Sequence, residues 1–168
     1  MTEVSFARGY WGDEHLLHTG ASMGNLSAHF SRGEFVCHCC GDFRLDDRLL
    51  AALEDLRRRA GQAVLVLSGY RCPEHNRRVG GAANSQHVFG KAADIRVPGL
   101  TLQQMYELAA STPEFAQGGI GVYDRGFLHV DVRGHRARWS QVAGKYVGIE
   151  QLVCEKVPDA ARAAAQGS

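Results

Sequence analysis

Two histidines and a carboxylate can hold a metal ion, and this chain carries such a set in a recognisable pattern. His87 and Asp94 lie seven residues apart in the run SGYRCPEHNRRVGGAANSQHVFGKAADIRV, residues 68–97, with Gly90 between them. A neutral imidazole and a carboxylate are suitable zinc ligands. The glycine lets the chain fold back, so both side chains can aim at one point. Residues 127–133, FLHVDVR, supply a third ligand. On a strand, His129, Asp131 and Arg133 share one face, and Leu128, Val130 and Val132 share the other. Three protein ligands leave a fourth position for water, which distinguishes a catalytic zinc from a structural one. Zinc lowers the pKa of a bound water to about 7, so such a site can attack a peptide bond at neutral pH. The His-Glu-x-x-His signature is absent, so a peptidase built on this set is of another type.

The pattern as a whole resembles a known family. Ser68-Gly69-Tyr70-Arg71, then Ser85-x-His87-x-x-Gly90-x-Ala92-x-Asp94, then His129-x-Asp131 are similar to the zinc D-Ala-D-Ala carboxypeptidases and murein endopeptidases. That family shares its metal site and fold with the hedgehog signalling domain. The resemblance spans about residues 68–133, and the milder pattern of residues 26–67 fits it too. It implies one zinc per chain on His87, Asp94 and His129. It also implies that Arg71 anchors substrate, because its planar fork can pair with a peptide carboxylate or polarise the scissile carbonyl; an ion pair with Asp94 or Glu74 is the alternative. Ser85 is expected to donate to substrate or to fix the loop. Many relatives carry an acidic residue three positions before the last histidine, where this chain has Gly126. The general base is therefore assigned to Asp131, with Asp124 as the next candidate; the competing role for Asp131 is to orient a ligand.

The elements that must position these residues read as an α+β fold: a small antiparallel sheet carrying the zinc site, with helices on one face. Asp46 caps a helix over residues 46–60, whose Leu49, Leu53, Leu56 and Ala60 mark one buried face, and Gly61 ends it. Residues 63–67 are expected as a buried strand that delivers Ser68 to Arg71. Pro73 opens a short helix through Arg77. Asn76 orients the site or lies on that helix's surface. Residues 92–97 form the next strand. Thr101 and Gln104 make a capping box for a helix that stops before Pro113. Residues 120–123 and 127–133 pair as a hairpin across Asp124-Arg125-Gly126. Residues 134–139 turn away, with Trp139 at the domain edge, and residues 149–153 give a last short strand or helix. Phe30, Phe35 and Phe43 are core anchors. The chain divides into an arm at 1–24, one peptidase domain at 25–157 and a tail at 158–168. His15, His18, His75 and His135 are expected on the surface.

Composition narrows the function classes. The 168 residues are 45% hydrophobic and 22% charged, with a net charge of +1, which are values for one globular domain. Arg57-Arg58-Arg59 is the one basic run and sits near a helix end, so nucleic acid is not an expected partner. No stretch is long and apolar enough for a membrane span, and residues 1–20 lack the pattern of a signal peptide. The expected partners are peptidoglycan stem peptides or peptides ending in D-Ala-D-Ala. Synthesis in the cytoplasm with release by a phage-type or other non-classical route, as for an endolysin, follows from the missing signal. One rival reading is a non-catalytic zinc-bearing module that binds peptidoglycan. Another places a metal or redox function at Cys37, Cys39 and Cys40, and it requires metal to survive the loss of His87. Five cysteines, an odd number, argue for reduced thiols. Cys37-His38-Cys39-Cys40 is tightly spaced and no second pair follows it, so one zinc is expected; a link to Cys72 stays open.

Overall fold

The computed structural model describes residues 25–154. The expected arm at 1–24, with His15 and His18, and the tail at 158–168 lie outside the described residues. Helix α1 runs Asp47–Ala60. Asp46 accepts the Arg48 amide as its N-cap, and Gly61 closes it in the left-handed conformation. Its Leu49, Ala52, Leu53 and Leu56 are buried, which is the face that the leucine spacing predicts. Helix α2, Pro73–Arg78, starts on proline. Helix α3, Leu102–Ser111, opens with the expected capping box of Thr101 and Gln104. Helix α4, Pro113–Ala116, follows at once.

Six strands form one sheet: β1 Leu65–Ser68, β2 Ala92–Arg96, β3 Gly119–Tyr123, β4 Phe127–Asp131, β5 Ala137–Val142 and β6 Lys145–Val147. Their order is β1-β2-β4-β3-β5-β6. All pairs are antiparallel except β3 with β5. The architecture is α+β as expected, with a mixed sheet in place of a wholly antiparallel one. Helices α1, α3 and α4 pack together on one side, where α3 and α4 meet the middle strands. The core is Phe30, Phe35, the α1 leucines, Ile95, Met105, Phe115, Ile120, Val122, Leu128 and Val130. Burying side chains of this size stabilises the fold by about 1.5–3 kcal/mol each before entropy is counted. The other side of the sheet is left for chemistry.

Two expectations change here. Residues 63–67 were expected as a buried strand, yet β1 is an edge strand, with Leu65 44% and Leu67 38% exposed. An irregularity between Val66 and Ser68 sets Ser68 opposite Asp94, so the strand's twist serves to aim the Ser68–Arg71 turn. Residues 134–139 do not simply turn away. Ala137–Val142 returns parallel to β3, with Trp139 opposite Gly121, and brings the indole into the site. Residues 149–151 form a 3-10 turn. Among the described residues, no helix is long and apolar enough to cross a membrane.

Candidate metal centre

Strands β2 and β4 are neighbours, and their register sets Asp94 directly opposite His129. A cross-strand pair of this kind brings side chains on one face into contact. His87 arrives separately, on the 3-10 turn Gln86–Phe89. Gly90 ends that turn at φ +68, and a Cβ there would come within 2.6 Å of the Arg44 carbonyl oxygen. Only glycine suits both the angle and the space, so the chain reverses here and carries Asp94 back under His87.

The three side chains meet closely. His87 Nε2 lies 3.2 Å from Asp94 Oδ1 and 3.1 Å from His129 Nδ1, and His129 Nδ1 lies 3.3 Å from Asp94 Oδ1. Partners on the far side of each ring fix the tautomers. His87 Nδ1–H donates to the Gly69 carbonyl at 2.7 Å, and His129 Nε2–H donates to Asp131 Oδ2 at 2.9 Å. Both inward nitrogens therefore present lone pairs, and a carboxylate oxygen joins them. Three acceptors at such spacing repel one another unless a cation stands among them. Ligands about 2.0–2.1 Å from a tetrahedral zinc lie about 3.3 Å apart, so the set fits that ion in both chemistry and size.

The electrostatics of the two rings differ. Burial pushes the His87 pKa down and keeps the ring neutral, against the pull of Asp94. At His129 burial acts in the same sense, but the bonds to Asp131 and Asp94 outweigh it and raise the pKa. Burial would raise Asp94, yet His87 and His129 hold its carboxyl well below the usual range. Asp94 therefore stays ionised between the two rings, where a bound cation would meet its charge.

Asp131 is not on the cleft wall. It is wholly buried, and burial would raise its pKa, but His129 and Arg133 hold it ionised. Its oxygens accept from His129, from the Gly119 amide at 3.0 Å and from Arg133 Nη2 at 2.6 Å. Arg71 Nε–H donates to Ser68 Oγ at 2.9 Å, and its Nη2 pairs with Asp94. Ser85 precedes the His87 turn, and its side chain makes no capping bond. Asp124 accepts the Ala143 amide at 2.7 Å. Asn76 is buried and donates to the Ala82 carbonyl at 2.8 Å, holding the glycine-rich loop. His135 is exposed as expected, whereas His75 is half-buried.

An open cleft of about 700 Å³ lies over the triad, and its walls include Arg71, Ser85, Tyr123, Phe127 and Trp139. Trp139 was not expected there. Its ring centroid is 5.2 Å from that of His129, and a Cβ on Gly121 would sit 2.4 Å from the indole. The alternating glycines of β3, Gly119 and Gly121, were the sequence signal that a large side chain crosses that strand.

The peptidase M15 family model matches residues 28–131, more than half of the chain. The chain belongs to the peptidase M15 family. Membership makes this M15 protein a zinc metallopeptidase, a hydrolase of peptide bonds, and it bears out the sequence resemblance. The matched residues contain all three members of the triad. No curated protein matches the chain.

Proposed function

We propose that this peptidase cleaves short peptides containing D-amino acids in peptidoglycan, as a D-Ala-D-Ala carboxypeptidase or a murein endopeptidase. The observation that carries the reading is the convergence of three acceptor atoms at the floor of a cleft large enough for a short peptide. His87, Asp94 and His129 would hold the zinc. Bound there, it would supply Lewis acidity toward a carbonyl oxygen and toward water.

The remaining roles belong to the chain's own residues. Arg71 is proposed to bind the substrate carboxylate or scissile carbonyl. Its Nε and Nη2 are engaged by Ser68 and Asp94, which fixes the guanidinium plane and supports a recognition role for Nη1. Ser85, on the cleft wall, is proposed to donate to a substrate carbonyl. For Asp131 we favour the orienting role over the base expected from its motif. Its burial and its bond to His129 Nε2 support a group that holds the ring and its tautomer, and a wholly buried carboxylate does not reach a substrate proton. Asp124 lies outside the cleft walls.

The test is mass spectrometry of purified muropeptides incubated with the protein, with and without chelator. Chelator-sensitive loss of a terminal D-Ala identifies a carboxypeptidase, and chelator-sensitive splitting of cross-linked dimers identifies an endopeptidase. Muropeptides left intact at saturating zinc would overturn the substrate assignment.

A further inference from the structure

A second cluster of ligand-type side chains lies at the far end of the Arg71 turn. Cys37 is buried just beyond the core anchor Phe35, Cys39 and Cys40 are exposed on the same loop, and Cys72 caps helix α2. All four sulfurs lie within 4.8 Å of one another. Cys39 Sγ is 3.5 Å from Cys37 Sγ and 3.4 Å from Cys72 Sγ. A disulfide needs about 2.05 Å, and all five described cysteines are free. Four thiolates around a tetrahedral zinc, at about 2.3 Å each, lie about 3.8 Å apart. The Sγ–Sγ distances of 3.4 and 3.5 Å, with all four sulfurs inside 4.8 Å, lie close to that value.

The backbone is shaped for such a set. Two residues separate Cys37 from Cys40, the gap common in zinc-binding loops. The loop closes on itself: the Cys37 amide donates to the Asp42 carbonyl at 2.7 Å, and the Gly41 amide donates to the Cys37 carbonyl at 2.8 Å. Other donors point at sulfur. The Cys72 amide lies 3.3 Å from Cys37 Sγ, and the His75 amide lies 3.4 Å from Cys72 Sγ. His75 Nδ1 is 3.3 Å from Cys37 Sγ. Donors of this kind stabilise thiolates.

We propose that Cys37, Cys39, Cys40 and Cys72 bind a second zinc ion as a closed tetrathiolate. Four protein ligands leave no position for water, so this ion is structural. It fastens the loop after Phe35 to the residue next to Arg71, and so holds one wall of the catalytic cleft. His38 and His75, which flank the clasp, both line that cleft. The expected content rises from one zinc per chain to two.

Elemental analysis of the purified full chain, with cobalt substitution as a second readout, tests this. The parent protein should carry two zinc ions, His87→Ala one, and Cys39→Ser one. Cobalt-loaded parent and cobalt-loaded His87→Ala should both show the intense sulfur-to-cobalt charge-transfer absorption of a thiolate site. That readout needs no cysteine variant, so it decides even where Cys39→Ser fails to fold. Absence of the thiolate band in the parent would overturn the proposal. So would an unreduced intact mass lighter by two hydrogens, which denotes a disulfide, or one parent zinc that vanishes in His87→Ala. One parent zinc that persists in His87→Ala, with the thiolate band, would support the clasp and remove the metal from the triad instead.

Discussion

His87, Asp94 and His129 stand on strands and a turn that the core already fixes, whereas Cys37, Cys39, Cys40 and Cys72 stand on two loops. The first three are held from behind by the Gly69 carbonyl, by Asp131 and by Arg71. The cysteines are held chiefly by one another and by three donors from the start of α2. The difference separates two uses of an ion. Where the fold makes the site, the ion is free to do chemistry, and removing it should leave the scaffold standing. Where loops make the site, the ion is part of what orders them.

The strongest way to break this comparison is at His87. His87→Ala should abolish hydrolysis while circular dichroism and the melting transition stay close to those of the parent, since Phe30, Phe35 and the α1 leucines carry the core. A broadly unfolded variant would mean that the triad, too, is structural. Next in size is Arg71. Arg71→Lys should lower kcat/KM nearly as far as Arg71→Ala, by about 10²–10³, because an ammonium group cannot reproduce the guanidinium fork. Initial rates on one peptide compare the two, and a near-normal lysine variant would reduce Arg71 to a point charge.

Asp131→Asn sharpens the contrast further. If Asp131 orients His129, zinc affinity should fall by about ten- to a hundredfold, with hydrolysis restored at saturating metal. Turnover that stays two or more orders low with the site filled would restore Asp131 to the role of base. Zinc titration and hydrolysis on one preparation read both quantities.

The smallest effect concerns how the segment leading to the cysteine loop is held. Glu54 accepts from Ser27 Oγ at 2.5 Å, from the His29 amide at 2.9 Å and from His29 Nδ1 at 2.7 Å. Burial alone would raise its pKa, but these bonds lower it. A lowered carboxylate stabilises fully above its unfolded pKa of about 4.3 and loses that contribution as the pH falls through the folded value. Glu54→Gln should therefore cost about 1 kcal/mol near neutral pH and match the parent in acid below that value. Urea melts at several pH values would show it, and a constant difference across the range would separate the effect from ionisation.

Sequence reasoning reached as far as local signals extend. The leucine period of α1, the Asp46 and Gly61 caps, the Thr101–Gln104 box and the hairpin turn all act within a few residues, and each appears where the pattern sets it. The triad was legible because strand alternation and Gly90 determine which way its side chains face. Contacts that no local pattern marks were not legible. The run ARWSQV of β5 has no apolar period, so its parallel return beside β3 was missed, and Trp139 with it. Burial of Asp131 depends on Arg133 and Gly119 closing over it. Cys72 meets the other thiols only through the turn that β1 and Phe35 jointly place, where the Tyr70 amide donates to the Phe35 carbonyl.

The cross-strand pairing of Asp94 with His129 also sets an order of events. These residues are 35 apart in sequence, and until β2 lies against β4 no site exists for them to share. Cys37, Cys39 and Cys40 need only a closed turn of six residues, 37–42, and a short loop closes in about 10–100 ns, far sooner than non-local strands find one another; Cys72, 35 residues from Cys37, joins them only when the Phe35–Tyr70 contact forms. A chain refolding in the presence of zinc should therefore engage the three thiols of residues 37–40 first, and gain the Cys72 thiolate and hydrolytic activity later. The lag between the two would measure how long the sheet takes to assemble.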